Sequence, residues 1–181
     1  MEWTIILAII LLIWADAVTM PALYAAVRRW WMGRKFRRAH FLSEPDVTVV
    51  RPCAGTEPGL LDRLLSVREA RFAAPPAVRF TVADESDAAF PVARRAAETL
   101  RNEGWDAEVV AGAVAGPNRK AAQLAALMPS IESAVVISAD SDVDLRGTDL
   151  GRMAAALMHD PRLGAVYAPP AEHAQPKTSG D

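Results

Sequence analysis

The stretch Ser-Ala-Val-Val-Ile-Ser-Ala-Asp-Ser-Asp-Val-Asp, residues 133–144, joins a short apolar run to three acids. Its apolar part, residues 134–137, is rich in β-branched side chains and predicts a strand buried on both faces, as in a parallel sheet. Asp140, Asp142 and Asp144 follow directly. Ligands of open α/β sheets bind just outside the carboxyl ends of the strands. The stretch therefore predicts a binding edge at the end of this strand.

Two carboxylates spaced by two residues suit a divalent metal. Such a pair can hold one hard cation through oxygen atoms, and the cation can in turn hold a diphosphate. The alternative is that the three acids only solvate a loop. Both interpretations stay open on this stretch alone.

Two other uses of the Asp-x-Asp pattern are excluded by its surroundings. Haloacid-dehalogenase phosphatases place the pattern at the start of their domain and need a lysine and further acids well downstream, whereas Lys177 is the only lysine after Asp142. An EF-hand loop needs glycine directly after its third acid and glutamate at its twelfth position. Leu145 and Gly151 stand at those places, so neither class fits.

Strand and helix patterns alternate along the chain after residue 45. Apolar or alternating runs predict five strands, at Asp46–Val50, Val78–Val82, Ala107–Ala111, Ala134–Ile137 and Leu163–Tyr167. Amphipathic patterns predict helices at Pro58–Arg71, at about Ala88–Glu103, between the Gly116–Lys120 loop and Pro129, and at Leu150–Met158. Repeated strand–helix–strand units predict an α/β fold, a mostly parallel sheet with flanking helices.

Composition agrees with a globular protein. The chain has 181 residues, of which 51% are apolar and 23% charged, which excludes disordered and collagen-like classes. Its one cysteine, Cys53, excludes an intrachain disulfide and fits a reducing compartment. We expect an anchor and basic segment at residues 1–45, a binding domain at 46–168 and a disordered polar tail at 169–181.

The N-terminal segment predicts a membrane anchor. Residues 3–27 carry a single charge, Asp16, and are long enough to cross the hydrocarbon as a helix. A cleaved signal peptide would carry its positive charge before the apolar run. Here the basic residues come after it, which predicts one uncleaved span in the inner membrane with the rest of the chain in the cytoplasm. The alternative is a buried or interfacial helix broken by Asp16 and Pro21.

The basic residues form a collar directly after the apolar run: Arg28, Arg29, Arg34, Lys35, Arg37 and Arg38. From Asp46 onward, acids outnumber bases. A nucleic-acid-binding protein would carry its basic residues on the folded body. We therefore expect no nucleic-acid partner.

Three features are expected to meet at one edge of the sheet: Asp84, the Asn118-Arg119-Lys120 loop, and the Asp140/Asp142 pair. Alone, Asp84 could be a helix N-cap, and Arg119 and Lys120 could be solvated residues of a first helical turn, although they oppose the helix dipole there. Together, a metal on the acids and a nearby lysine or arginine would bind a diphosphate.

In this order the motifs resemble membrane-bound glycosyltransferase family 2 and its ceramide glucosyltransferase-like relatives, and they fit best the bacterial hopanoid-biosynthesis-associated glycosyltransferases. The matching sequence motifs are Val49-Val50-Arg51-Pro52-x-x-Gly55-x-Glu57-Pro58-Gly59-Leu60, Val82-Ala83-Asp84-x-x-Asp87, Gly116-x-Asn118-Arg119-Lys120 and Ala139-Asp140-Ser141-Asp142-Val143.

The resemblance implies a GT-A-like fold, a UDP-sugar donor, a divalent metal (Mg²⁺ or Mn²⁺) and a membrane lipid acceptor. It implies that Asp84 recognises the nucleotide base and that Asp140 and Asp142 contact ribose and the metal–diphosphate. The donor-binding residues carried over from the motifs are Pro52, Glu57, Asp84, Asn118, Lys120 and Asp140, with Asp142 and Asp140 at the metal.

The sequence also departs from the family pattern. Ala54 and Gln123 stand where the family has a lysine and an asparagine, and neither an Arg-Trp pair nor an apolar run long enough for a membrane helix follows Asp142. We therefore expect a truncated or split enzyme that lacks the acceptor half and its catalytic base. For this reason we assign no catalytic residue. The alternative is a non-catalytic, membrane-tethered nucleotide-sugar-binding module that acts with a partner chain.

Overall fold

The structure, a computed structural model, describes residues 2–38, 45–112 and 116–168. Within these ranges the chain forms two compact units. One consists of helix α1, and the other holds all four strands and the remaining helices. The predicted tail at 169–181 and the connector at 39–44 lie outside the described residues.

Helix α1, Glu2–Arg38, is 37 residues long. Its part Trp3–Trp31 is long and apolar enough to cross a membrane. The helix runs through both Asp16 and Pro21, so the alternative of a helix broken at these residues is wrong. It also continues into the basic collar, where the Arg34 guanidinium lies 4.7 Å from the centre of the Trp30 ring.

Four parallel strands form one sheet in the order β3-β2-β1-β4. Their bounds are Val47–Pro52 (β1), Ala77–Val82 (β2), Ala107–Ala111 (β3) and Val135–Ser138 (β4). Every residue of the central strand β1 is buried, as expected when helices cover both faces of a parallel sheet. Within the described residues, β4 is an edge strand that pairs with β1 alone. The predicted parallel α/β architecture is confirmed.

The connecting helices follow the predicted order. They are α2 (Leu60–Leu65), α3 (Phe90–Asn102), α4 (Arg119–Leu127) and α5 (Leu150–His159), and single 3₁₀ turns extend α2 to Glu69 and α4 to Ser130. Two helices begin at side-chain caps, because Asn118 Oδ1 accepts from the Ala121 amide and Asp149 Oδ1 from the Arg152 amide.

Two predicted elements need correction. Residues 163–167 form no strand; Gly164 and Ala165 are poor strand formers, and most of the segment is exposed. Helix α2 begins at Leu60 instead of Pro58, since Gly59 precedes it at φ 76° in the left-handed region, where a helix cannot continue.

The core lies between the sheet and the helices. Phe80 of β2, Leu64 of α2 and Leu100 of α3 have no exposed surface. This packing fixes the strands in register, with Val50 opposite Ser138 and Pro52 opposite Thr81. The loops that leave β1, β2 and β4 therefore emerge side by side at one edge.

Candidate functional site

The acidic turn, which we define as residues 140–145, leaves the carboxyl end of β4. The Ala139 amide donates to the Val50 carbonyl (3.0 Å), which ties the start of the turn to β1. A second bond, from the Val143 amide to the Asp140 carbonyl (3.1 Å), closes the turn. Its position confirms that the acids follow a strand of the parallel sheet.

The three acids of this turn have different environments. The Asp140 carboxylate forms an ion pair with Lys120 Nζ. The Asp144 carboxylate is paired with the Arg146 guanidinium at 2.7 Å, and Arg146 also holds Asp62 and Glu69. Asp142 is exposed, and its carboxylate makes no ion pair or hydrogen bond with a described residue. Asp140 and Asp142 are thus available for chemistry, whereas Asp144 serves a surface salt-bridge network.

The basic loop reaches the acidic turn through the first turn of α4. Asn118 caps this helix, and its side chain accepts from the Ala121 amide at 3.1 Å. The cap places Arg119 and Lys120 in the first helical turn, where the helix dipole disfavours positive charge. The contact between Lys120 and Asp140 compensates for this placement and brings two of the predicted site motifs together.

Asp84 lies in the loop after β2, where its Oδ1 accepts from the Ser86 amide (2.8 Å) and from the Ser86 hydroxyl. These bonds from Ser86, and less strongly the charge of Arg119, lower the pKa of the Asp84 carboxyl. Asp84 does not cap α3, because the residue before that helix is Ala89. The helix-cap interpretation of Asp84 is therefore wrong.

The loop between β1 and α2 borders the same edge. Pro52 is buried at the end of β1, and the Cys53 amide donates to the Thr81 carbonyl at 2.7 Å. The Gly55 amide donates to Asp87 Oδ1 at 2.8 Å, which joins this loop to the one that follows β2. Glu57 is exposed, and its carboxylate pairs with Arg63 at 3.1 Å, so Glu57 has a local structural partner.

The two departures from the family pattern differ in their surroundings. Gln123 of α4 is buried and accepts a weak hydrogen bond from the Thr81 hydroxyl at 3.4 Å. It therefore packs against β2. Ala54 is exposed in the loop after β1.

Sequence reasoning missed the role of Arg51. This β1 residue has no exposed surface, and burial lowers its pKa to about 10. Its Nη2 donates to the carbonyls of Asp140 (2.8 Å), Ser141 (3.3 Å) and Val143 (2.7 Å). The available signal was the position of Arg51 directly after the apolar run that ends the first predicted strand, since a charge buried there requires partners.

Two carboxylates fit a divalent cation only if the substrate completes the site. Among residues 2–38, 45–112 and 116–168, no three His, Cys, Asp or Glu side chains gather to hold a metal. Mg²⁺ commonly binds through one or two carboxylates together with substrate phosphates and water. The carboxylates of Asp140 and Asp142 suit that arrangement, with Lys120 beside them.

The opposite edge of the sheet carries a cavity of about 690 Å³. Asp46, Ala77, Arg79 and Asp106 are among the residues that line it, near the amino ends of the strands. It contains none of the predicted site residues, so its volume does not bear on the chemistry of the acidic turn.

Comparison with solved structures agrees with the fold. A mannosyltransferase from Pyrobaculum calidifontis, in complex with GDP-Man and Mn²⁺, superposes with a TM-score of 0.52 at 21% sequence identity, over 81% of this chain and 44% of that one. The chain therefore spans less than half the length of this neighbour, and the likeness establishes a GT-A-like fold. Comparison with curated proteins gives no significant match.

The sequence profile of glycosyl transferase family 21 matches residues 12–178, which is almost the whole chain. This is the ceramide glucosyltransferase family, so the coarser part of the resemblance inferred from the motifs is confirmed. The chain belongs to glycosyl transferase family 21.

Proposed function

We propose that the domain binds a UDP-sugar, through a divalent metal, as the donor for transfer to a membrane lipid. The observation that carries this proposal is the Lys120–Asp140 ion pair at the carboxyl edge of the sheet, together with the nearby Asp142, which forms no ion pair with any residue that the structure describes. It combines two exposed carboxylates for a cation with a lysine for phosphate oxygens. Family membership supports transfer from a nucleotide-sugar.

Each site residue has a role in this proposal. Asp84, whose carboxyl pKa is lowered by the hydrogen bonds from Ser86, accepts a hydrogen bond from the base. Lys120 binds the diphosphate, and Asn118 positions Lys120 by capping α4. Pro52, at the end of β1, and Glu57, in the loop that follows, border the nucleotide.

The metal is Mg²⁺ or Mn²⁺, held by Asp140 and Asp142. When bound, it would neutralise charge on the diphosphate leaving group. The Asp140 carboxylate would then interact with both the cation and Lys120. Lys120 would also contact a phosphate oxygen. The Mn²⁺ in the mannosyltransferase complex supports a divalent ion of this kind.

The acceptor is a membrane lipid of the ceramide, diacylglycerol or hopanoid class. Helix α1 supports this choice because it is long and apolar enough to span a bilayer. Trp30 with Arg34 against its ring suits the headgroup region, where aromatic and basic residues gather. In our proposal the span lies in the inner membrane, and the domain faces the cytoplasm.

Inverting transfer also needs a base that removes the proton from the acceptor hydroxyl. Asp140 and Asp142 are committed to the metal, and no Arg-Trp pair follows them in this sequence. We therefore assign the base to an acceptor half outside these 181 residues, which a partner chain could supply. The same observation supports the second candidate function, a donor-binding module without activity of its own.

Calorimetric titration of the detergent-solubilised chain tests the proposal. UDP, GDP, UDP-sugars and GDP-mannose are compared with and without Mn²⁺. We expect binding of UDP-sugars that Mn²⁺ strengthens, and no sugar transfer to ceramide, diacylglycerol or hopanoid acceptors. Absence of nucleotide binding would refute the proposed function, a preference for GDP would refute the choice of donor, and turnover would refute the assignment of the base.

A further inference from the structure

A buried polar network lies directly beneath the acidic turn. Arg51 Nη2 bonds three carbonyls of the turn, while Arg51 Nη1 donates to the Arg63 carbonyl at 3.0 Å. The Ser66 hydroxyl donates to the same Arg63 carbonyl at 2.6 Å and accepts from the Leu145 amide at 2.9 Å. Both Arg51 and Ser66 have no exposed surface. We call these contacts the Arg51–Ser66 network.

The network holds the turn at both of its ends. Arg51 binds carbonyls from Asp140 to Val143, and Ser66 binds the amide of Leu145. None of these bonds uses the side chain of Asp140 or Asp142. The backbone of the turn is therefore fixed from below, and the two carboxylates remain available on the exposed side.

Stability alone is a weak explanation for the buried guanidinium. Removing a charge from water is costly, and well-packed apolar residues often replace buried charges at no loss of stability. Here the buried Arg51 Nε has no hydrogen-bond partner in the described part of the chain, which adds to the cost. What the guanidinium provides is a planar set of donors that can bind several carbonyls at once.

We propose that Arg51 and Ser66 are positioning residues of the donor site, which fix the acidic turn so that Asp140 and Asp142 bind one divalent cation together with a diphosphate. This inference rests on the proposed function. Lysine at position 51 would keep the positive charge, but a single ammonium group on a different stem cannot reproduce the bonds to both the turn and the Arg63 carbonyl.

The experiment measures how strongly Mn²⁺ increases UDP affinity in the full chain and in two variants, Arg51→Lys and Ser66→Ala. Calorimetry gives the dissociation constant of UDP with and without Mn²⁺, and the EPR signal of free Mn²⁺ gives metal binding independently. Partners that orient metal ligands typically contribute roughly ten- to a hundredfold in metal affinity. We expect the Mn²⁺ enhancement to fall roughly tenfold or more, while the metal-free affinity for UDP stays nearly unchanged.

Arg79→Lys is the matched control. Arg79 lies on the neighbouring strand β2, where its guanidinium pairs with Asp106 and Glu108. This variant should keep the Mn²⁺ enhancement. Should Arg51→Lys fail to fold, Ser66→Ala decides the question, since it removes one hydroxyl and leaves Arg51 in place.

The outcomes are distinguishable. Folded variants with a lower melting temperature and an unchanged Mn²⁺ enhancement would show that the network is only structural and would overturn this inference. A wild-type chain that binds UDP equally well with and without Mn²⁺ would overturn the proposed metal-dependent function, and this inference with it. Loss of the enhancement in the variants but not in Arg79→Lys would support it.

Discussion

Lys120 and Asp140 form an ion pair that joins the first turn of α4 to the turn after β4, across a sequence separation of 20 residues. Both side chains are about half exposed, so solvent screens their attraction. The pair leaves Asp142 as the acid of the turn without a partner among the described residues. A cation that enters here therefore meets one carboxylate in an ion pair with lysine and one that forms no ion pair with a described residue.

Asp142→Asn should abolish the Mn²⁺ dependence of UDP-sugar binding. The substitution keeps size and hydrogen-bonding capacity but removes the charge that a hard cation needs. Calorimetry with and without Mn²⁺ should show most of the metal-independent affinity retained. Asp144→Asn is the matched control, because Asp144 is held by Arg146; equal effects of both variants would contradict the assignment.

Asp84→Ala should weaken UDP and UDP-sugar binding alike, whether or not metal is present. Loss of one charge-assisted hydrogen bond to the base costs about 1.5–3 kcal/mol, or roughly ten- to a hundredfold in affinity. Asp106→Ala, in the loop before β3, serves as the control. Unchanged UDP affinity would leave Asp84 as a residue that only shapes the loop through Ser86.

Lys120→Met should reduce diphosphate affinity while leaving stability almost unchanged. Exposed ion pairs contribute only about 0–1 kcal/mol to folding, so the melting temperature should move little. Affinity for UDP should fall more than affinity for uridine, since uridine lacks the phosphates. Equal losses for the two ligands would show that Lys120 contacts the nucleoside.

The orientation of α1 is tested with a reporter fused after Asp181. Because the basic collar follows the apolar part of α1, a fluorescent or β-galactosidase reporter should be active in the cytoplasm. Changing the six basic residues of the collar to glutamate should invert or abolish insertion. Alkaline phosphatase activity of a fusion at the same place would show the opposite topology.

Cys53 should resist thiol reagents in the folded chain. Burial raises the pKa of its thiol to about 12, and the thiolate is the reactive form. Labelling with iodoacetamide at pH 8 should be slow until urea unfolds the domain. The unfolded thiol loses its proton near its ordinary pKa, while the folded one keeps it. This group should therefore lower the free energy of unfolding as pH rises from about 9 to about 12. Fast labelling of the native chain would refute the burial of Cys53.

The sheet was predictable because its strands have strong local patterns. β-branched runs separated by amphipathic helices indicated parallel crossover connections, and the acids at the strand ends then had to meet at one edge. The contact between Lys120 and Asp140 follows from that topology. The strand predicted at residues 163–167 did not form because Gly164 and Ala165, which lie within this short apolar run, are poor strand formers.

The Arg51–Ser66 network could not be predicted in the same way. Arg51 is bonded to backbone carbonyls 89 to 92 positions away, and backbone acceptors carry no signature in the sequence. The start of α2 depends likewise on one backbone angle, the positive φ of Gly59. The network arises from tertiary geometry, whereas the start of α2 is set by a local backbone conformation that glycine permits but does not require.

The edge position of β4 has a consequence for how the site could be extended. A strand paired on one side presents backbone N–H and C=O groups along its other side, which can accept a further strand. A parallel strand added there would run in the same direction as β4 and end next to the acidic turn. The residues that follow such a strand would then lie beside Asp140 and Asp142 at the carboxyl edge of the sheet.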